Sequence, residues 1–405
     1  MNKQIVKKIA IFILVLSFAL SLISCNDTQN SAPDDTSKPP ANDFTQPQQV
    51  KNYSVTFDYN DGSGRKETIL IPENQFISGY APYPISDNKE VTAWSLSEEG
   101  AAYEVAITSD ITLYAQWKTY ETVEYTSNIP NRITDRFVKI SPDGDANALN
   151  GKVVYLGANV KSVSFVSDGT VYNHFAIIIE ERYSDINITM DRFCFNSDKG
   201  FGIKCADSST MYTVNLKISD MATIDCTKYV SSSSKNSATC IQASRLHITG
   251  QGSLLLLAGH GVDGESKAQA GNGNDGENGG NATNGGVGII AKTLMVNNIS
   301  LKVVGGNGGN GGNGGKGNNG SGFSTAKFKN GGNGGRGGNG GNGGNGGKGG
   351  CVFSTEILSY EANSCVVTLT VGKAGSGGNG GKSQNSSLNG NAGTSGTDGM
   401  VNVSN

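Results

Sequence analysis

Glycine falls on every third position through long stretches of this chain, and a merely flexible linker has no reason to keep phase. From Gly261 to Gly288, glycine or alanine occupies each third place with one break, at Lys267. From Gly305 to Gly320 the triplet is mostly Gly-Gly-Asn, and it recurs from Gly331 to Gly349 with Arg336 and Lys348 in the third place. The phase returns from Gly375 to Gly399, with Gln384 and Ser387 as exceptions. Three residues per turn is polyproline II geometry, which glycine can adopt. The chain has 58 glycines but only 9 prolines, so a collagen triple helix is excluded. The calcium-binding nonapeptide repeat needs a regular Asp, which is scarce here.

The expectation is a set of polyglycine II helices that pack closely and satisfy one another's backbone groups, with Asn at the third place pointing into water. The alternative is a disordered Gly/Asn linker. The insertion from Gly305 to Gly350 reads as an out-and-back pair of helices around a tip at residues 321–330. At ~3.1 Å per residue, a half-insertion would project roughly 50 Å. The other tracts would reverse near Glu265-Ser266-Lys267 and near Lys382 to Leu388.

Between the tracts, short apolar strands recur. Gly202–Cys205 precedes Val214–Ile218, and Cys240–Ala243 precedes Leu246–Ile248 and Leu254–Leu257. Gly288–Ala291, Leu294–Val296 and Ile299–Val303 repeat the order, as do Cys351–Ser354, Ile357–Leu358 and Val366–Val371, with a weaker copy from Phe175 to Met190. A unit of about 25 residues that cannot close its own core must stack on its neighbours. The fold expected is all-β, with parallel β-helix-like rungs carrying polyglycine II insertions; an antiparallel sandwich of hairpins is the alternative.

The N-terminus reads as an export leader. Lys3, Lys7 and Lys8 precede an apolar run from Ile9 to Ile23, too short to span a bilayer well. Leu22-Ile23-Ser24-Cys25 resembles the lipobox of bacterial lipoproteins. That resemblance implies a signal peptide at 1–24, lipidation at Cys25 and a membrane partner through the lipid. The other reading is an ordinary secretory signal with a chance cysteine. Residues 25–50 are polar and would form a tether. The implied location is the cell envelope, with inner and outer membrane both open.

Residues 51–119 read as a small β module. Val55-Thr56-Phe57-Asp58, then Gly79-Tyr80 with Pro82, Pro84 and Trp94, then Asp110 through Trp117, resemble the internalin-type B repeat, or Listeria–Bacteroides repeat. Ala93 stands where the family has glycine. The resemblance implies a β-grasp-like stalk or interaction unit with no catalytic residue. A β-helix-like region at 120–260 and rungs interleaved with glycine tracts at 261–405 would follow.

The triplet tracts and their tips are similar to the polyglycine bundles at the tail-fibre tips of T-even-type phages, where loops between helices contact a host surface. Carried over, this makes Phe323, Lys327, Phe328 and Lys329 the candidate contacts, although the two phenylalanines could equally staple the turn.

Other chemistry is sparse. The net charge of −3 gives nucleic-acid binding no support. Apart from Cys25 there are six cysteines, without a CxxC metal pattern. Cys351 and Cys365 are the candidate disulfide, and small buried thiols are the alternative. The histidines are only His174, His247 and His260, and no nucleophile motif, metal spacing or phosphate loop occurs. Glu180 and Glu181 are neighbours that one strand would point to opposite faces, so they cannot flank one glycosidic bond. The expectation is a non-enzymatic surface binding protein or adhesin for a glycan or protein, needing no cofactor or metal. A structural envelope lipoprotein and a β-helix carbohydrate-active enzyme are the alternatives.

Overall fold

The computed structural model describes residues 51–86, 88–142, 144–206, 212–229, 237–270, 275–316, 352–360, 365–382, 389, 391–399 and 402–403, the side chains of 360, 402 and 403 excepted. The described chain is all-β, and its larger part is a parallel β-helix-like stack.

The N-terminal module is a five-stranded sheet of β1 (Asn52–Asp58), β2 (Lys66–Pro72), β3 (Ile85–Ser86), β4 (Lys89–Ser95) and β5 (Ile111–Thr119), in the order β2-β1-β5-β4-β3. Alternation along β1 and β5 drives Val55, Phe57, Leu113 and Ala115 into the core, since successive strand residues point to opposite faces. Trp94 is 1% exposed; its ring lies 4.8 Å from Phe57 and its indole N–H donates to the Pro82 carbonyl at 2.8 Å. Trp117 donates likewise to the Tyr59 carbonyl at 2.7 Å. Both indoles thus satisfy their polar edge while burying apolar surface.

Among the described residues from Val123 onward, every strand pairing is parallel. Successive coils contribute to three faces. The first face includes Val153–Leu156, Ala176–Ile179, Phe201–Cys205 and Phe353–Thr355; the second includes Ser162–Val166, Ile186–Asp191, Val214–Ile218 and Ile357–Tyr360. The third stacks Phe193–Asn196, Met221–Asp225, Ser253–Leu257, Ser300–Val304 and Val366–Thr370. Thr239–Gly250 and Ile289–Asn297 are long strands that each serve the first face and then the second.

Register stacks like on like. Val154, Ile177, Ile203, Ile241, Ile289 and Phe353 are consecutive partners on the first face, and all are buried. Each such aliphatic contributes ~1.5–3 kcal/mol by burial, which one coil alone could not secure. Near the module the interior is aromatic, with Phe193 lying 5.0 Å from Phe165 and 5.1 Å from Tyr172.

The module is joined to the second face. Asn187 Nδ2 donates to the Ile85 carbonyl at 2.8 Å, and Arg136 pairs with Glu90 at 2.5 Å. Tyr120 donates to Glu90 at 2.7 Å and stacks on Phe137.

Candidate functional site

All three glycine insertions leave from the end of a third-face strand and return to the first face, so they share one corner of the coil. Their described parts form five extended segments: I (259–270), II (277–286), III (305–316), IV (372–382) and V (391–399). Neighbouring coils are a strand spacing apart, ~4.8 Å, so chains leaving the same corner begin already within bonding distance.

The sheet ladder passes into the glycine segments without a change of register. Leu257 pairs with Val304, and Ala258 N–H donates to the Val304 carbonyl; then Gly261, Gly264, Lys267 and Ala270 donate to the carbonyls of Asn307, Asn310, Asn313 and Lys316. On the other side, Val304 pairs with Thr370, and the N–H groups of Gly308, Gly311 and Gly314 donate to Lys373, Ser376 and Asn379. Segment II runs back between them: Gly280 N–H donates to Glu265 at 2.8 Å, and Gly312 N–H to Gly280 at 2.9 Å. Segment V is antiparallel to IV, with Gly393, Gly396 and Gly399 donating to Gly378, Gly375 and Gly372. Every ladder advances by three residues, the period read from the sequence.

The third position differs from expectation. Asn307, Asn310 and Asn313 are exposed, but their side chains do not simply point into water. Their Oδ1 atoms accept the N–H groups of Lys373, Ser376 and Asn379 at 2.9, 3.0 and 2.9 Å. Their own N–H groups donate to His260 Nδ1 at 3.0 Å, Asp263 Oδ1 at 2.6 Å and Ser266 Oγ at 3.0 Å. A backbone N–H on that side has no carbonyl opposite it, and a short side chain supplies the acceptor instead. Sequence reasoning missed His260, Asp263 and Ser266. The signal was a polar acceptor recurring immediately before in-phase Gly261, Gly264 and Lys267.

Glycine is required here for close approach. A Cβ on Gly312 would lie 2.1 Å from the Glu265 carbonyl oxygen, and one on Gly306 would stand 1.8 Å from that of Gly259. None of the described glycines in the five segments has a positive φ. Their role is therefore to remove side-chain volume between backbones.

The expected reversal at Glu265-Ser266-Lys267 is corrected. Because Gly280 pairs with Glu265 and segment I bonds onward to Ala270, these residues lie along the segment, and the reversal falls between 270 and 277. Lys267 is held there by Glu265 at 2.9 Å, whose hydrogen bond raises the ammonium pKa. Gly393 N–H donates to the Gly378 carbonyl, so the last reversal falls between those two residues; the anticipated tip at 383–388 lies outside the described residues. Cys25, Phe323, Lys327, Phe328, Lys329 and Cys351 lie outside the described residues. Cys365 Sγ donates to the Val296 carbonyl at 3.2 Å.

The other reactive side chains serve local structure. Glu180 accepts a two-point bond from Arg132 at 2.8 and 2.6 Å, which holds its carboxyl below the usual range, while Glu181 is exposed. Asp145 caps the turn at Ala146–Ala148 through the Asn147 N–H. His174 Nδ1 lies 2.8 Å from Asp198. Arg182, 1% exposed, donates to the carbonyls of Val160, Leu156 and Gly157. Cys194, Cys226 and Cys240 are buried thiols, and burial, aided by Cys226, pushes the Cys240 thiol well up. Among the described residues, no group of three His, Cys, Asp or Glu side chains could hold a metal ion, and no helix is long and apolar enough to cross a membrane.

No known protein family, characterised protein or solved structure matches the chain. The functional reading therefore rests on the geometry.

Proposed function

We propose that this chain is a binding protein, an adhesin of the cell envelope, held to a membrane by lipid on Cys25. The glycine segments form a stiff arm in this reading, and residues 321–330 at the head of the longest insertion carry the contact through Phe323, Lys327, Phe328 and Lys329. A glycan or a host or envelope protein is the ligand. One observation carries the proposal: segment III is hydrogen-bonded to I, II and IV at once. A chain clamped on three sides transmits position along its length, whereas a flexible linker pays for ordering its tip at each encounter. A structural role without ligand would need the lattice but no specific residues at 321–330.

The test is binding of the soluble chain, from Asn26 onward, to arrays of glycans and matrix proteins. Replacement of residues 321–330 by a Gly-Ser segment is expected to abolish the signal on at least one array class. Binding identical to the parent on every ligand would overturn the assignment of the tip. Labelled fatty acid should enter the full chain in its bacterial host and be absent from Cys25→Ser.

A further inference from the structure

Under the module lies a cleft of about 540 Å³, within the size range of small-molecule sites. Its floor is the outward side of the second face, where parallel register lines up polar residues coil upon coil. Asn187, Asn215 and His247 form one row, and Thr189, Lys217 and Thr249 form the next. The rows repeat at the strand spacing of ~4.8 Å, close to the rise of one sugar unit in an extended polysaccharide. Tyr83 and the prolines beside it form the overhanging wall. The bond from Asn187 to Ile85 fixes the height of that overhang, and Asn215 in turn donates to Asn187 at 3.1 Å.

The charges facing this space are unequal. Arg65 sits over the Tyr59 ring, 3.7 Å from its centroid, and Lys217 is exposed; neither has an ion-pair partner among the described residues. The opposing carboxylate is Asp185, one of whose oxygens already accepts the Thr213 N–H. Tyr83 is 48% exposed and offers an aromatic ring to the apolar face of a sugar.

We infer that this cleft binds an acidic oligosaccharide, a uronic-acid polymer segment, laid along the coil axis. Arg65 and Lys217 take its carboxylates, the Thr and Asn rows take its hydroxyls, and Tyr83 packs on a ring face. Arginine suits a planar carboxylate through its forked donors, and lysine supplies a compact positive charge. The site is independent of the glycine arm and of residues 321–330.

Calorimetry of the soluble chain with oligogalacturonate, and with the same oligomer methyl-esterified, tests this. The acid form should bind and the ester should bind about tenfold or more weaker, as expected when a charge-assisted hydrogen bond is lost. Lys217→Gln should cost about tenfold on the acid form and little on the ester; Tyr83→Ala should weaken both. Both side chains are exposed, and an unchanged melting temperature checks that the fold persists. No binding of the acid form by the parent chain, or binding untouched by both substitutions, would overturn the inference. The 321–330 replacement should leave this titration unchanged, so the two sites fail separately.

Discussion

The Asp263 carboxylate accepts the Asn310 backbone N–H at 2.6 Å, across the same 47-residue step that pairs Ser253 with Ser300 in the sheet. Segments I, III and IV therefore continue the β-helix's third face, with side-chain acceptors replacing carbonyls on one row. Asn310 repeats the arrangement one coil further on, accepting from Ser376.

It follows that Asn310→Ala should destabilise the lattice although the residue is exposed. Loss of one such hydrogen bond is expected to cost ~0.5–1.5 kcal/mol. Urea unfolding of the parent and variant would measure it. A ΔΔG near zero would mean that water replaces Oδ1 without cost.

Glycine substitutions should divide by location. Gly79 has open space around it and no positive φ, so Gly79→Ala should be neutral or stabilise by ~0.4–1 kcal/mol through the unfolded state. Gly312→Ala drives a methyl into the Glu265 backbone and should cost ~1–3 kcal/mol or more. Thermal melts should show Gly312→Ala lowered and Gly79→Ala unchanged or raised; equal shifts would argue against close packing of segments I and III.

Arg182 is the buried cation of the first coils. Arg182→Ala removes this donor from three carbonyls; those of Leu156 and Gly157 still accept the Glu180 and Val160 N–H groups, so the cost should be ~1–3 kcal/mol, mostly at the Val160 carbonyl. Arg182→Lys should rescue little, because an ammonium lacks the planar fork that reaches all three. Denaturant midpoints for the two variants would decide; a near-native Arg182→Lys would show that charge alone suffices.

How much of this could be read beforehand depends on the kind of signal. Period-three phasing is local, so the glycine ladders were visible, and the repeated order of strands around Ile203, Ile241 and Ile289 indicated stacking. What failed was partnership. Asn310 looked like an outward residue because its partners, Asp263 and Ser376, lie 47 and 66 residues away. The reversal near Lys267 was misplaced for a similar reason: a charged residue in a glycine run resembles a tip, until the pairing of Glu265 with Gly280 fixes the register. The cleft could not be foreseen, since Arg65 and Lys217 line one space only because the N-terminal module packs over the second face.

Acid should weaken the fold. Asp58 is held below the ordinary carboxylate range by its hydrogen bond to Lys66, Glu124 by Lys139 and Glu180 by Arg132. Each folded carboxylate binds its proton more weakly than the unfolded one, so its contribution is full above the unfolded pKa and disappears as pH falls through the folded value. The melting temperature should drop between about pH 5 and pH 2, and Glu180→Gln should shallow the drop slightly, since its partner Arg132 is largely exposed and solvent screens the pair. Melting temperatures that rise on acidification would contradict the assignment.

Amide hydrogen exchange on the native chain is the most direct measurement of the lattice. In segment III, the amides from Gly305 to Gly315 donate in rotation to segment IV or its preceding strand, to II, and to side chains of or next to I. Protection should therefore be continuous from 305 to 315. In segment V it should peak at Gly393, Gly396 and Gly399, the amides that donate to IV. Fast, unprotected exchange throughout 305–315 would contradict the lattice and leave a β-helix with loose glycine loops.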